Sequence, residues 1–84
     1  MSAPARSDMR VAHQVGQALR LLRLERRMLS KQVASRADIT RSMLSRYEHG
    51  HQNPTLPVLF KILKTLDCSA EDFGKRLGPW GRVN

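Results

Sequence analysis

Cysteine is nearly absent. Cys68 stands alone among 84 residues, so no disulfide can form within the chain, and a reducing, cytoplasmic setting is expected. Long apolar runs are missing too: none approaches the roughly 18–20 residues of a membrane span. The first residues, Met-Ser-Ala-Pro-Ala-Arg-Ser-Asp-Met-Arg, have no apolar core and do not read as a secretory signal. A soluble chain without membrane contact follows as the expectation. No nucleophile–base set, carboxylate pair or phosphate-cradling glycine loop is visible, which excludes an enzyme and leaves no cofactor to place. His49-Gly50-His51 lacks the cysteine or second carboxylate of a zinc set, so no metal site is expected. Strand-type alternation and internal repeats are also lacking, and the fold class reads as all-α.

Acidic residues are few. The chain carries 15 Lys+Arg against 7 Asp+Glu, a formal net charge of +8. That balance favours a polyanionic partner, nucleic acid before an acidic membrane surface. Residues 1–50 hold ten Lys/Arg and four Asp/Glu, a net of +6, and residues 51–84 hold five and three, a net of +2. The length suits one domain. A domain this small buries only about 60% of its unfolded surface, so a second copy would help to stabilise it.

Five short helices can be drawn. Residues 1–11, with Pro4 and no apolar periodicity, read as a flexible arm whose Arg6 and Arg10 could reach a polyanion. The folded domain spans 12–77, and 78–84 form a tail begun by Gly78-Pro79. Val15, Leu19, Leu22 and Leu24 mark a first helix over 12–26. Val33, Ala34 and Ala37 mark a second, with Ser30 as its nearest available cap. Thr40 caps a third, closed by Gly50. Thr55 caps a fourth, with Pro57 in its first turn and a wide apolar face from Leu56 to Leu66. Ser69 opens a fifth that runs to about Arg76.

The third helix, about 41–49, has two opposed faces. Met43, Leu44 and Tyr47 can point inward, while Arg41, Ser42, Ser45 and Arg46 point outward. An apolar back with an Arg/Ser front, in a basic chain, is suited to a DNA groove. The few residues between the second and third helices fit a helix-turn-helix.

These residues resemble the Cro and phage-repressor (Xre-like) helix-turn-helix family from about Val15 to Phe73. The likeness rests on Leu19-Arg20-Leu21-Leu22-Arg23, Val33-Ala34, Ile39-Thr40, Tyr47-Glu48-His49-Gly50, Asn53-Pro54-Thr55-Leu56, and the closing stretch from Lys64 to Phe73. No single piece is decisive, but together they keep the family's spacing. Arg27 stands where the family usually has glycine, Leu29 where it has a Ser or Thr cap, and Asp38 where glycine is common.

The resemblance implies a lambda-repressor-like fold and a set of roles. Arg41, Ser42 and Arg46 would face base edges, with Thr40 and Ser45 at the margin. An arginine can hold guanine O6 and N7 with two bonds, worth about 1–3 kcal/mol against a wrong base. Ser30, Lys31, His51, Gln52 and Asn53 would touch phosphate. Glu48 would pair with Arg23 as a structural brace. Surplus apolar residues late in the chain, Leu56, Phe60, Phe73, Leu77 and Trp80, are the candidate dimer interface.

Two functions follow as expectations. The first is a sequence-specific transcriptional regulator, a repressor, that binds a palindromic operator in double-stranded DNA as a homodimer. Polymerase contact is a further option, and restriction–modification controllers are of this size. The alternative is a helix-turn-helix antitoxin that binds a toxin protein and autoregulates its operon. Only a short arm and tail are available for a toxin, which weakens that reading.

Overall fold

The computed structural model describes residues 6–78 and, among them, five helices and no strand. These are α1 (Arg6–Glu25), α2 (Ser30–Arg36), α3 (Arg41–Glu48), α4 (Leu56–Thr65) and α5 (Ala70–Arg76). α1 lies against α3, α2 packs on α3 and α4, and α4 packs on α5. Leu19 and Leu22 of α1, Val33 of α2, Leu44 of α3, Ile62 of α4 and its C-cap Leu66 are fully buried. Each such side chain contributes about 1.5–3 kcal/mol through removal from water.

Local chemistry sets the helix ends. The hydroxyls of Thr40, Thr55 and Ser69 accept the N–H groups of Met43, Val58 and Asp72 at 3.0, 3.4 and 3.0 Å. Each satisfies one amide that the first turn leaves without a partner. α2 starts differently. Leu29 is its N-cap and has no oxygen to offer; instead the Gln32 side chain reaches back and accepts the Leu29 N–H at 2.8 Å. Ser30 is therefore the first helical residue and not the cap.

α1 to α4 each end on a residue in the left-handed region: Arg27, Asp38, Gly50 and Asp67, with φ of 54°, 57°, 74° and 52°. The next residue then bonds back into the helix, as Ile39 N–H does to the Ala34 carbonyl at 3.0 Å. This is the Schellman closure. It turns Met28, Ile39 and Cys68 toward the core and keeps the connections short.

Several expectations need correction. α1 begins at Arg6, so residues 6–11, expected within a flexible arm, are helical, and Arg10 sits exposed on α1. The helix there runs ahead of the core, and no burial marks it in the sequence: Met9 is exposed, and burial starts with Val11 and Ala12. Leu24 is exposed while Val15, Leu19 and Leu22 are buried. Phe73, expected at a dimer interface, is 4% exposed and belongs to the chain's own core, where its ring is not available to a second copy. Leu77 is half-buried against the same core. Leu56 and Phe60 are 66% and 52% exposed. Trp80 and most of the tail lie outside the described residues.

Candidate nucleic-acid interface

α3 is eight residues long and amphipathic by position. Leu44 and Tyr47 are buried, and Met43 is half-buried against the core. Arg41, Ser42, Ser45 and Arg46 all lie exposed on the other side. Among the described residues no carboxylate pairs with Arg41 or Arg46, so both guanidinium groups keep their full donor capacity. Thr40 is committed locally, because its hydroxyl caps the helix. Nδ1 of His49 lies 2.8 Å from the Ser45 carbonyl. The Ser45 hydroxyl oxygen lies 3.3 Å from the same nitrogen.

The helix is held from behind by α1. Arg23 grips Glu48 with two bonds, Nε to Oε2 at 2.8 Å and Nη2 to Oε1 at 3.0 Å. Both side chains are nearly out of solvent, 12% and 5% exposed. The hydrogen bonds that Arg23 donates to Glu48, and that carboxylate's charge, raise the Arg23 pKa above its ordinary value, against a smaller effect of burial. A third donor of the same guanidinium, Nη1, bonds the Met28 carbonyl at 3.1 Å. One side chain thus fixes the end of α3 and the α1–α2 turn together. Losing one partner of such a pair strands a charge and costs about 3–5 kcal/mol.

Two glycines allow the close approach. A methyl at Gly16 would overlap the carbonyl oxygens of Tyr47 and Glu48. A methyl at Gly50 would come within 2.9 Å of the His13 Cα, and its φ of +74° disfavours any side chain. α1 and the end of α3 therefore touch backbone to backbone.

The candidate phosphate contacts fall into two groups. Lys31 is exposed and Ser30 half-buried in the first turn of α2; His51, Gln52 and Asn53 are exposed in the loop after α3. The rings of His49 and His51 stack with centroids 6.1 Å apart. Among the described residues, no group of three or more His, Cys, Asp or Glu is placed to hold a metal. None of the described helices is long and apolar enough to cross a membrane.

Sequence reading missed three residues that hold the helices together. Arg26 is exposed, yet its Nε donates to the Leu66 carbonyl at 2.9 Å, capping the end of α4. Arg76 of α5 grips Glu25 at 2.6 and 2.8 Å. Gly16 carried no turn or cap signal at all. Nothing local in the sequence marks these contacts, since their partners lie up to 51 positions away. Cys68 is buried, and burial pushes its thiol pKa up, so it acts as a neutral core residue.

The arrangement is that of a DNA-reading helix-turn-helix. Residues 19–73 match the helix-turn-helix family model, and the chain belongs to this Cro/C1-type family. Among solved structures it is similar to a point mutant of the restriction–modification controller protein C.Esp1396I. That match has a TM-score of 0.76 and 27% identity, over 80% of this chain and 87% of that one. It is also similar to the restriction–modification controller C.AhdI from Aeromonas hydrophila (TM-score 0.71, 26% identity, 74% and 94% covered). The clp gene regulator ClgR from C. glutamicum shares the fold at TM-score 0.79 and 18% identity, over 98% and 100% of the two chains. No curated protein sequence matches the chain. Family and neighbours together support a DNA-binding transcriptional regulator.

Proposed function

We propose that the protein is a transcriptional repressor that binds a near-palindromic operator as a homodimer, with α3 in the major groove. One observation carries the reading. The outer face of α3 presents Arg41, Ser42 and Arg46 without side-chain partners among the described residues, with Ser45, 3.3 Å from His49, beside them, while its back is locked by Leu44, Tyr47 and the Arg23–Glu48 pair. A helix about 10–12 Å across fits a major groove about 12 Å wide. Side chains nearest its start reach the groove floor, so Arg41 and Ser42 meet bases first and Arg46 a turn later, with Thr40 and Ser45 at the edges. Ser30, Lys31, His51, Gln52 and Asn53 lie at the flanks and fix register through phosphate.

One protomer measures 33 Å at its longest, about one turn of DNA, and offers a single reading helix of eight residues. Two copies, with reading helices about 34 Å apart, would supply a full operator. The exposed Leu56 and Phe60 of α4 are the apolar surface for that pairing. Repression would act by promoter occlusion. The similarity to two restriction–modification controllers supports regulation of this kind by a small stand-alone domain.

Selection of bound duplexes from a random DNA pool tests the reading, with Arg41→Ala and Lys31→Ala beside the wild type. The expected result is a palindromic motif with guanine in each half-site. Arg41→Ala should relax the motif, with about 1–3 kcal/mol of discrimination lost. Lys31→Ala should weaken every sequence alike. An unenriched pool, with binding that merely collapses in salt, would overturn operator recognition.

A further inference from the structure

The α1–α2 turn holds Arg27 at a φ of 54°. Glycine enters this region freely, whereas a long L side chain does so against its own Cβ. The other left-handed positions are Asp38, Asp67, Gly50 and Gly78, all residues suited to the conformation. Arg27 alone places a long cationic side chain there.

Its neighbours are all engaged. Glu25 is bound by Arg76 at 2.6 and 2.8 Å, and Arg26 donates to the Leu66 and Asp67 carbonyls at 2.9 and 3.5 Å. Arg27 is exposed and, among the described residues, enters no ion pair, although Glu25 is two positions away. Three adjacent charged residues are thus sorted: two bind the fold and the third is left to solvent.

The place of the turn matters as well. Arg23 holds the Met28 carbonyl at 3.1 Å with the guanidinium that also grips Glu48. The residue after Arg27 is therefore one side chain away from the last turn of α3. Lys31, also exposed and outside any ion pair among the described residues, follows four positions later. The turn that carries Arg27 is thus hydrogen-bonded to the same guanidinium that holds the end of α3.

We propose that Arg27 is a phosphate contact of the DNA-bound protein, one that anchors the reading helix on the duplex backbone without reading sequence. The inference rests on the DNA-binding function proposed above, and it assigns a binding role to a side chain for which the fold itself has no use.

Two measurements test it: thermal unfolding, and fluorescence-anisotropy titration of a mixed-sequence duplex over a range of salt. The proteins are the wild type, Arg27→Gly, Arg27→Lys and Arg41→Ala. Glycine suits the left-handed turn, so the melting temperature of Arg27→Gly should not fall. Its affinity should nevertheless drop several-fold at low salt. The slope of log K against log salt should shrink by about 0.9, the mark of one lost phosphate contact. Arg27→Lys should keep the wild-type slope. An Arg27→Gly protein with unchanged affinity and slope would overturn the proposal. If the wild type and Arg41→Ala still differed in base preference in that case, operator reading would stand without Arg27. A wild type that bound no duplex at all would overturn both.

Discussion

At Gly16 a single hydrogen decides how closely α1 can lie on α3. Alanine usually stabilises a helix interior by about 1 kcal/mol over glycine. Here the added methyl would meet the Tyr47 and Glu48 carbonyls, which are backbone atoms and cannot swing aside. Relief requires α1 to back away, loosening the Arg23–Glu48 pair that depends on the same crossing. Gly16→Ala should therefore lower stability by about 2 kcal/mol or more in urea unfolding, in the sense of over-packing. A variant as stable as the wild type, or more so, would mean the crossing has slack. Residues of this sort were the least legible in the sequence. The Arg23–Glu48 pairing could be named only through a family resemblance, since the partners lie 25 positions apart. Gly16 and Arg26 gave no sign, because a close crossing and a carbonyl cap depend on how helices meet, which local pattern does not encode.

Helix ends were the most legible elements, because caps and stops act over three or four residues. Thr40, Thr55 and Ser69 start helices through bonds that their own sequence supplies. The start of α2 was misplaced, since a glutamine side chain reaching back to Leu29 replaced the usual hydroxyl. Beyond caps, elements are tied by charge. Arg76 joins the end of α5 to the end of α1 through Glu25, and that hydrogen bond holds the Glu25 carboxyl below its ordinary pKa. Above the ordinary glutamate range of about 4.3 the carboxyl is ionised folded or unfolded, and the tie contributes fully. As pH falls, the unfolded chain takes up its proton first, and the contribution drains away toward the lower folded value. Melting temperatures should place the wild type above Glu25→Gln at neutral pH, by a small margin because the pair is half-exposed. The two curves should converge as pH falls through and below the ordinary glutamate value of about 4.3. A gap that persisted in acid would show that the carboxylate is not what binds α5 to α1.

At the scale of the whole molecule, the apolar surface on α4 and the net charge of +8 pull in different directions. Leu56 and Phe60, four residues apart, share one helix face and stand exposed, whereas Phe73 is spent on the core. Two copies joined through α4 would bury that face but bring two chains of net charge +8 together. Screening should then act oppositely on the two associations. Added salt should tighten the pairing of protomers, by weakening like-charge repulsion, and loosen the hold on DNA, by removing the gain from counterion release. Phe60→Glu separates these effects. The side chain is 52% exposed, so the fold should survive, with unfolding close to that of the wild type. A carboxylate in an apolar seam would nonetheless prevent pairing. Sedimentation equilibrium should find Phe60→Glu monomeric where the wild type is dimeric. Its affinity for a duplex carrying two half-sites should fall to that for one half-site. A Phe60→Glu protein that stayed dimeric, with two-site binding intact, would move the interface away from α4.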